Sequence, residues 1–258
     1  MLALVREVSP RLAHCELTHL RRERIDVALA QHQHRTYTEA LEALNCRLEW
    51  LPPLLGHADG VFVEDTAVAL EDIAVVTRPG VASRRGETPS VAAALARHVP
   101  VVQLREPGRL EGGDVLRIDR TLYVGLSARS NAHGIAQLAA ALAPLAYSVR
   151  AVAIDGCLHL KSACSFIPPR TLLVNPSWLD PGAFGALEVI AVDEREPYAA
   201  NTLTIAGTTL VSAAYPRTSE RLAAAGVRTR VLEVSELHKA EAALTCMSLL
   251  LERPRSAA

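Results

Sequence analysis

The stretch Ala243-Leu-Thr-Cys-Met-Ser-Leu-Leu-Leu251 places one thiol, Cys246, among apolar residues near the C-terminal end of the sequence. Its composition predicts a strand, and we expect Cys246 to lie on that strand. By itself, a lone cysteine in such a setting is most often a small, inert, buried hydrophobe. A chemical role for Cys246 therefore requires polar partners that the rest of the chain brings beside it.

A strand–strand–helix–strand pattern recurs along the chain. Its first full copy has predicted strands at 61–68, 73–77 and 101–104, and a helix between the last two that is N-capped by Thr88 and runs to His98. A near-constant period of polar residues on the leading strands predicts a repeat architecture. These residues are Asp65, Glu111, His159, Asn201 and Cys246, at intervals of 46, 48, 42 and 45 residues.

The fifth copy of the pattern ends with the Cys246 strand. We expect its missing partner to be the N-terminal strand within residues 1–8, so that the ring closes on its own termini. Five such units predict an α/β fold in which each leading strand points one end at a common axis. The alternative is an ordinary α/β chain, whose units have a similar length and need not converge. We expect one domain over residues 1–258, with a short tail at about 253–258.

Composition excludes several classes of function. The 258 residues carry 27 basic and 28 acidic side chains, with no basic run that would indicate a nucleic-acid partner. No apolar run approaches the roughly 20 residues of a membrane span, and a charge follows too soon after Met1 for a signal peptide. Five cysteines without a CxxC pair argue against a disulfide framework or a structural zinc site. We therefore expect a cytoplasmic protein with reduced thiols.

Convergence of the leading strands would assemble a reactive set from Glu64, Asp65, Glu111, His159 and Cys246. A thiolate is a strong nucleophile, and an imidazole can protonate a leaving group and then activate water. Several carboxylates repel an anionic substrate and suit a planar cation with many N–H donors, such as a guanidinium. Each residue also has a plain structural interpretation: Glu64-Asp65 as a solvated strand end, His159 as a core histidine.

Two arginine-bearing loops, Ser83–Arg85 and Ser127–Ser130, follow the second strands of their units. They are either ordinary surface loops or a pair of guanidinium groups that hold a carboxylate at the far end of the substrate. A guanidinium at one end and a carboxylate at the other describe arginine or a derivative. Asp114, which follows Gly112-Gly113, is better explained as a turn residue than as a group that contacts substrate.

An ordered set of motifs over nearly the whole chain resembles the dimethylarginine dimethylaminohydrolases, which belong to the guanidine-modifying enzymes. This resemblance implies a five-bladed α/β propeller of ββαβ units, called the pentein fold, around a central substrate channel. The motifs are Phe62-Val-Glu-Asp65, Thr77-Arg-Pro-Gly80, Ser83-Arg-Arg85, Glu111-Gly-Gly-Asp-Val115, Val124-Gly-Leu-Ser-Ala-Arg129, Asp155-Gly-Cys-Leu-His-Leu-Lys161, Ala199-Ala-Asn201, Tyr215-Pro216 and Leu244-Thr-Cys-Met-Ser248.

The resemblance also implies a role for each matching residue. Cys246 corresponds to the nucleophile, His159 to the general acid and base, and Glu111 to the carboxylate that supports the histidine and orients the guanidinium. The residues implied to bind substrate are Leu17 and Ala240 through their backbone, Asp59 at the α-amino group, Glu64 and Asp65 at the guanidinium, and Arg84 and Arg129 at the carboxylate. Three segments match less well: the lid segment 15–20, Gly156-Cys157-Leu158 with one extra residue before His159, and Glu241–Thr245.

The resemblance implies a cofactor-free hydrolase that converts asymmetric dimethylarginine or monomethylarginine to citrulline and a methylamine through a covalent cysteine adduct. Arginine deimination and amidino transfer to a second amine remain alternatives, as does a pentein-fold binding protein without chemistry. A metal ion held by Cys246 and His159 would inhibit rather than catalyse, because it would occupy the nucleophile. The expected partner is a small-molecule substrate, and a homodimer is expected from base rates.

Overall fold

Five three-stranded sheets form the blades of a closed ring in this computed structural model, which describes residues 1–252. In each sheet the leading strand pairs antiparallel with the middle strand, and the middle strand pairs parallel with the outer strand. The strands are β1 (Leu2–Val5), β2 (Arg47–Trp50), β3 (Ala67–Ala69), β4 (Ala74–Val76), β5 (Val101–Gln103), β6 (Val115–Ile118), β7 (Thr121–Leu126), β8 (Ser148–Ala153), β9 (Cys164–Ile167), β10 (Thr171–Val174), β11 (Glu188–Ala191), β12 (Leu203–Ile205), β13 (Thr208–Ser212), β14 (Thr229–Leu232) and β15 (Leu249–Leu251).

The helices occupy the connections between the strands. The two longest begin at side-chain caps: the Asp26 carboxylate accepts the Leu29 N–H, and the Asn131 side chain accepts the Gly134 N–H. The α-helices are α1 (Val27–Ala43), α2 (Thr88–Leu95), α3 (Ala132–Leu142), α4 (Leu160–Ala163), α5 (Pro216–Ala224) and α6 (Ser235–His238). Among residues 1–252, none of the helices has the length and apolarity that a membrane crossing requires.

The chain termini close the ring, as the sequence predicted. β15 pairs antiparallel with β1, with Leu2 opposite Leu251 and Leu4 opposite Leu249. The leading strands also contact one another, β15 with β3, β6 with β9 and β9 with β12, so they surround the axis of the ring. The five units therefore converge as expected, and the ordinary α/β alternative is wrong.

Closure is stabilised by apolar packing between blades. Leu2, Leu4 and Leu251 are at most 3% exposed and pack in one cluster with Val91 and Leu95 of α2, which belongs to the next blade. Burial of a leucine side chain contributes about 2 kcal/mol, so the strands that close the ring are held by hydrophobic contacts as well as by pairing.

The start of α2 differs from the sequence prediction. Thr88 is its first helical residue rather than its N-cap, and the helix ends at Leu95 rather than His98. A 3₁₀ segment, Ala82–Glu87, precedes it and carries buried Arg84 and Glu87. Within this segment Arg84 bonds to Glu87, and Arg84 also reaches Asp65. The predicted tail at 253–258 lies outside the described residues.

Candidate active site

The five periodic polar residues lie in the short segments that precede the leading strands. The sequence prediction that they lie on the strands is wrong. Residues on these short strands are committed to pairing and to packing between blades, whereas a turn at the start of the strand directs its side chains toward the axis. Asp65 lies in the 3₁₀ turn Val63–Thr66, Glu111 before Gly112–Asp114, His159 at the N-cap of α4, Asn201 before β12, and Cys246 in a turn before β15.

His159 is buried against carboxylates. Its Nε2 lies 2.7 Å from Glu111 Oε2, and its Nδ1 lies 3.9 Å from Asp65 Oδ1. Burial by itself lowers the pKa of His159. The carboxylates of Asp65, Asp114 and Glu111 outweigh burial and raise that pKa to about 9. The ring is therefore an imidazolium at neutral pH and carries the proton that a general acid needs.

Two glycines allow this close approach. A Cβ at Gly113 would lie 2.6 Å from His159 Nδ1 and 2.8 Å from Asp65 Oδ1. A Cβ at Gly112 would lie 2.0 Å from the Glu64 carbonyl oxygen. The Gly113 N–H also donates to Asp65 Oδ1 at 3.0 Å. The Gly-Gly pair therefore lets the backbone of one blade pass directly beneath the histidine and carboxylates of its neighbours.

Asp114 has a larger role than the turn residue that the sequence suggested. Its Oδ2 accepts the hydroxyls of Ser127 and Ser130, both at 2.6 Å, and its Oδ1 accepts the Leu160 N–H at 3.1 Å. The carboxylate thus joins the Arg129 loop to the start of α4, directly after His159. This correction could not be made from the sequence, because the partners lie 13 to 46 residues away.

Cys246 is a protonated thiol at rest. Burial raises the pKa of Cys246 to about 12, and the carboxylates of Glu64 and Asp65 add to the rise. The Ala243 N–H donates to its Sγ at 3.5 Å and acts in the opposite direction. Positive charge that arrives beside the thiol would lower this pKa and favour the thiolate.

A cavity of about 310 Å³ joins most of the predicted site residues. Glu111 lies behind His159, outside this wall, and acts on the site through the ring. Phe62, Leu158 and Ala242 supply apolar wall. The predicted residues that line the cavity are Asp59, Asp65, Arg84, Arg129, His159, Ala240 and Cys246.

Arg84 lies at the inner wall of this cavity, bonded to acidic side chains. Its Nη1 donates to Asp65 Oδ2 at 2.6 Å, and its Nη2 donates to Glu87 Oε2 at 2.9 Å. Burial opposes ionisation of Asp65, but His159 and Arg84 lower the pKa of Asp65 to about 2. Arg84 therefore fixes the position and the charge of Asp65, and its Nη1 keeps a second N–H that is directed to no acceptor among residues 1–252.

Glu64 does not line the cavity that Asp65 lines. Its carboxylate accepts Lys161 Nζ and Thr245 Oγ1, each at 2.6 Å. The Asn201 amide bonds Thr245 through both its oxygen and its nitrogen. Asn201 is therefore part of a hydrogen-bond network with Glu64 and Thr245, next to Cys246 in the chain.

The segment 15–20, the lid, lies at the cavity, where Glu16 forms part of the wall. The Glu16 N–H donates to the Asp59 carboxylate at 3.2 Å. Leu17 packs against the hydrophobic core and is absent from the cavity wall. Arg129 Nη2 donates to Thr18 Oγ1 at 2.9 Å. Two residues predicted to bind substrate, Asp59 and Arg129, thus also hold the lid.

Glu241 is a site residue that the sequence did not identify. Its carboxylate accepts the backbone N–H groups of Thr18 and His19, both at 2.6 Å, and of Leu20 at 3.1 Å. The backbone φ of Glu241 is +58°, in the left-handed region. In the sequence, Glu241 stands out only as an acidic residue among alanines. The backbone N–H groups that it binds lie 221 to 223 residues away, so the sequence could not reveal them.

Ligand atoms of Asp65, Glu111 and His159 lie within 4.8 Å of one another and could hold a metal ion. Cys246, which the sequence suggested as a further ligand, does not belong to this group. The raised pKa of His159 keeps both ring nitrogens protonated at neutral pH, so a metal would have to displace a proton.

Comparison with known proteins gives consistent matches. A model of the arginine deiminase family matches residues 61–184. The N(G),N(G)-dimethylarginine dimethylaminohydrolase of Streptomyces coelicolor is 41% identical over 252 residues, which cover 96% of each protein. The enzyme of that name from Pseudomonas aeruginosa is 35% identical over 87% of this chain and 89% of its own. A structure of the Pseudomonas aeruginosa protein, a mutant in complex with citrulline, aligns with a TM-score of 0.92 over 96% of this chain and 98% of that one, at 33% identity.

Proposed function

Because the chain belongs to the dimethylarginine dimethylaminohydrolase family, we propose that it hydrolyses Nω-methylated arginines to citrulline and a methylamine. One observation carries the assignment of chemistry to residues. A thiol, a protonated histidine, an ionised carboxylate and an arginine meet in one cavity: Cys246, His159, Asp65 and Arg129.

Substrate binding supplies the charge that activates the thiol. In the proposal, the guanidinium lies against Asp65, and the α-amino and carboxylate groups replace the lid contacts of Asp59 and Arg129. The arriving cation offsets the carboxylates that raise the pKa of Cys246, so the thiol loses its proton when substrate is bound. A protein with an unoccupied site is thereby protected from reaction with other electrophiles.

The first half-reaction expels the amine. Cys246 Sγ attacks the central guanidinium carbon, and the imidazolium of His159 gives its proton to the methylated nitrogen. The C–N bond breaks, a neutral methylamine leaves, and a positively charged thiouronium remains on Cys246. Glu111 is 2.7 Å from the ring and stabilises the imidazolium that begins this step.

The second half-reaction uses water. The now neutral His159 accepts a proton from water as its oxygen attacks the thiouronium carbon. Collapse of the tetrahedral intermediate expels the Cys246 thiolate, and loss of the remaining hydroxyl proton to solvent leaves the C=O group of citrulline. His159 acts as acid and then as base on the same face of the carbon, and no cofactor is needed in either step.

Citrulline release from asymmetric dimethylarginine, monomethylarginine and arginine, compared side by side, tests the proposal. We expect the methylated substrates to have the higher kcat/KM and the Cys246→Ser protein to form no citrulline. Cys46→Ser is the matched control, because Cys46 is also a buried thiol whose pKa is raised by burial but lies outside the cavity. Citrulline formation by Cys246→Ser at the wild-type rate would refute the proposal.

Arginine deimination is the second candidate, favoured by the arginine deiminase family model that matches residues 61–184. The same residues would perform it, with ammonia as the leaving group. If kcat/KM in the same assay is higher for arginine than for dimethylarginine, arginine deimination is the function.

We also propose a cytoplasmic location and a homodimer. A cysteine nucleophile needs the reducing cytoplasm to stay a free thiol. A homodimer is the commonest oligomeric state of soluble oligomers. Mass photometry of the purified protein that gives the monomer mass at micromolar concentration argues against the dimer.

A further inference from the structure

A second and larger cavity, of about 620 Å³, adjoins the reactive groups. It shares five lining residues with the cavity described above, and the rest of the two walls differs. The shared residues are Leu158, His159, Glu241, Ala242 and Cys246. Asp59 and Arg129 line only the first cavity, whereas Tyr198 and Tyr215 line only the second. The amino-acid part of a substrate has its charged partners in the first, so the second is left for whatever lies on the other side of the reacting carbon.

The walls of the second cavity are aromatic. The Tyr198 ring meets Trp178 edge-on, with centroids 4.9 Å apart, and the Tyr215 ring stacks on His238 at 5.3 Å and 17°. These contacts hold the two tyrosine rings at the cavity. Aromatic faces of this kind attract alkyl groups and alkylammonium cations.

The polar groups of the cavity suit an amine. His238 Nε2 is buried and has no hydrogen-bond partner among residues 1–252. Burial lowers the pKa of His238 to about 4, so the ring is neutral at neutral pH and can accept an N–H. Glu64 and Glu241 add negative charge, and Lys161 is paired with Glu64 at 2.6 Å. An alkylamine or alkylammonium ion matches this combination of aromatic rings, one neutral acceptor and carboxylates.

The order of events gives the cavity a role, on the basis of the proposed function. After the first half-reaction, the thiouronium still carries the amino-acid chain, which occupies the first cavity under the lid. The expelled amine then lies on the other side of Cys246. Attack of an amine on the thiouronium is the reverse of the step that released one, so His159 can serve both directions.

We propose that the second cavity is a binding site for small alkylamines, and that an alkylamine bound there competes with water for the thiouronium and exchanges the Nω-substituent of the substrate. The amine nitrogen bonds to the thiouronium carbon while neutral His159 accepts one of its protons. The C–S bond then breaks, Cys246 leaves as thiolate, and the product is an arginine with the new alkyl group on Nω. Charge is conserved, since a thiouronium cation becomes a guanidinium cation, a thiolate and an imidazolium.

The test supplies the thiouronium without a competing amine. S-methyl-L-thiocitrulline forms the same thiouronium with methanethiol as the leaving group. The full-length protein is incubated with it and with increasing ethylamine, and citrulline and Nω-ethylarginine are quantified by mass spectrometry. We expect the ratio of ethylarginine to citrulline to rise with ethylamine and to saturate, and Cys246→Ser supplies the uncatalysed background.

Two variants assign the activity to the cavity. Tyr215→Ala removes an aromatic face, and we expect the ratio of ethylarginine to citrulline to fall about tenfold. Tyr215→Phe keeps the ring and should keep the ratio. Citrulline without ethylarginine above background overturns the inference and leaves the proposed function intact. An unchanged ratio in Tyr215→Ala overturns the assignment to this cavity, and loss of citrulline in the wild-type protein refutes the proposed function itself.

Discussion

Glu241 bonds to three backbone N–H groups of the lid, and we expect these bonds to hold the lid closed. Replacement of Glu241 by glycine tests this. The position has a φ of +58°, which glycine adopts without strain, so Glu241→Gly removes the carboxylate without a backbone penalty. We therefore expect the free energy of unfolding to fall by no more than the lost hydrogen bonds contribute, because relief of the left-handed strain offsets part of the loss. Glu241→Ala removes the carboxylate but keeps the left-handed strain that glutamate already has, so its comparison with Glu241→Gly separates the two effects.

The magnitude follows from three hydrogen bonds. Glu241 accepts from Thr18, His19 and Leu20, and all three bonds lie in exposed or partly buried surroundings. At about 1 kcal/mol net for each bond, the lid loses about 3 kcal/mol of preference for the closed state. This corresponds to roughly a 100-fold shift toward the open state.

Two measurements report this shift. Hydrogen exchange at the amides of residues 18–20 should accelerate by up to about 100-fold in Glu241→Gly, because exchange follows the open population. The KM for dimethylarginine should rise by up to about the same factor, because apparent affinity falls with the closed fraction, and kcat should change less. Glu241→Gln should be intermediate, since its amide has a single acceptor oxygen.

Glu236→Ala is the matched control. The Glu236 carboxylate also accepts a backbone N–H from the N-terminal region, that of Asp26 at 2.8 Å, but it contacts no lid residue. We expect this variant to lower stability without faster exchange at residues 18–20. Wild-type exchange at these amides and a wild-type KM in Glu241→Gly would refute the conclusion that Glu241 holds the lid closed.

Three further predictions concern His159. Gly113→Ala places a Cβ 2.6 Å from His159 Nδ1 and should lower kcat for citrulline formation roughly 100-fold by displacing the ring; a variant with wild-type kcat contradicts the close-approach argument. Glu111→Gln removes a negative partner and should lower the pKa of His159, which NMR titration of the ring would show; an unchanged titration contradicts the assignment. The pKa of His159 is raised from 6.5 to about 9, so its contribution to stability is full below pH 6.5 and is lost as the pH rises through 9. Urea unfolding should therefore show the stability difference between wild type and His159→Asn falling between pH 6.5 and 9, and a difference that grows over this range would have the wrong sign.

The repeat and its closure were predictable because they depend on local patterns. Short β-prone segments, turn residues and a period near 45 residues are all properties of neighbouring residues in the chain. Counting the strands of each unit showed that the fifth unit lacks one, which predicted that the N-terminal strand completes it. The pairing of β1 with β15 confirms this prediction. Within the site, Cys246, His159 and Asp65 were found because each occupies the same place in its unit.

The tertiary structure decided how these residues behave. Local pattern placed the polar residues on strands, but packing between blades places them in the preceding segments. Asp114 resembled a turn residue and instead joins two loops to the start of α4. Arg84 was expected to bind the substrate carboxylate, and the structure shows it bonded to Asp65. The partners that determine these differences come from distant parts of the chain.

Protonation and lid closure also belong to the folded molecule alone. The thiol of Cys246 and the ring of His159 have ordinary pKa values in an extended chain, and burial beside carboxylates moves them to about 12 and about 9. Glu241 meets the lid across more than 220 residues of sequence. The sequence by itself determined which groups surround the axis, because spacing and pattern are local. Only the fold determined their charge states and contacts, because electrostatic interactions and hydrogen bonds depend on distances in space.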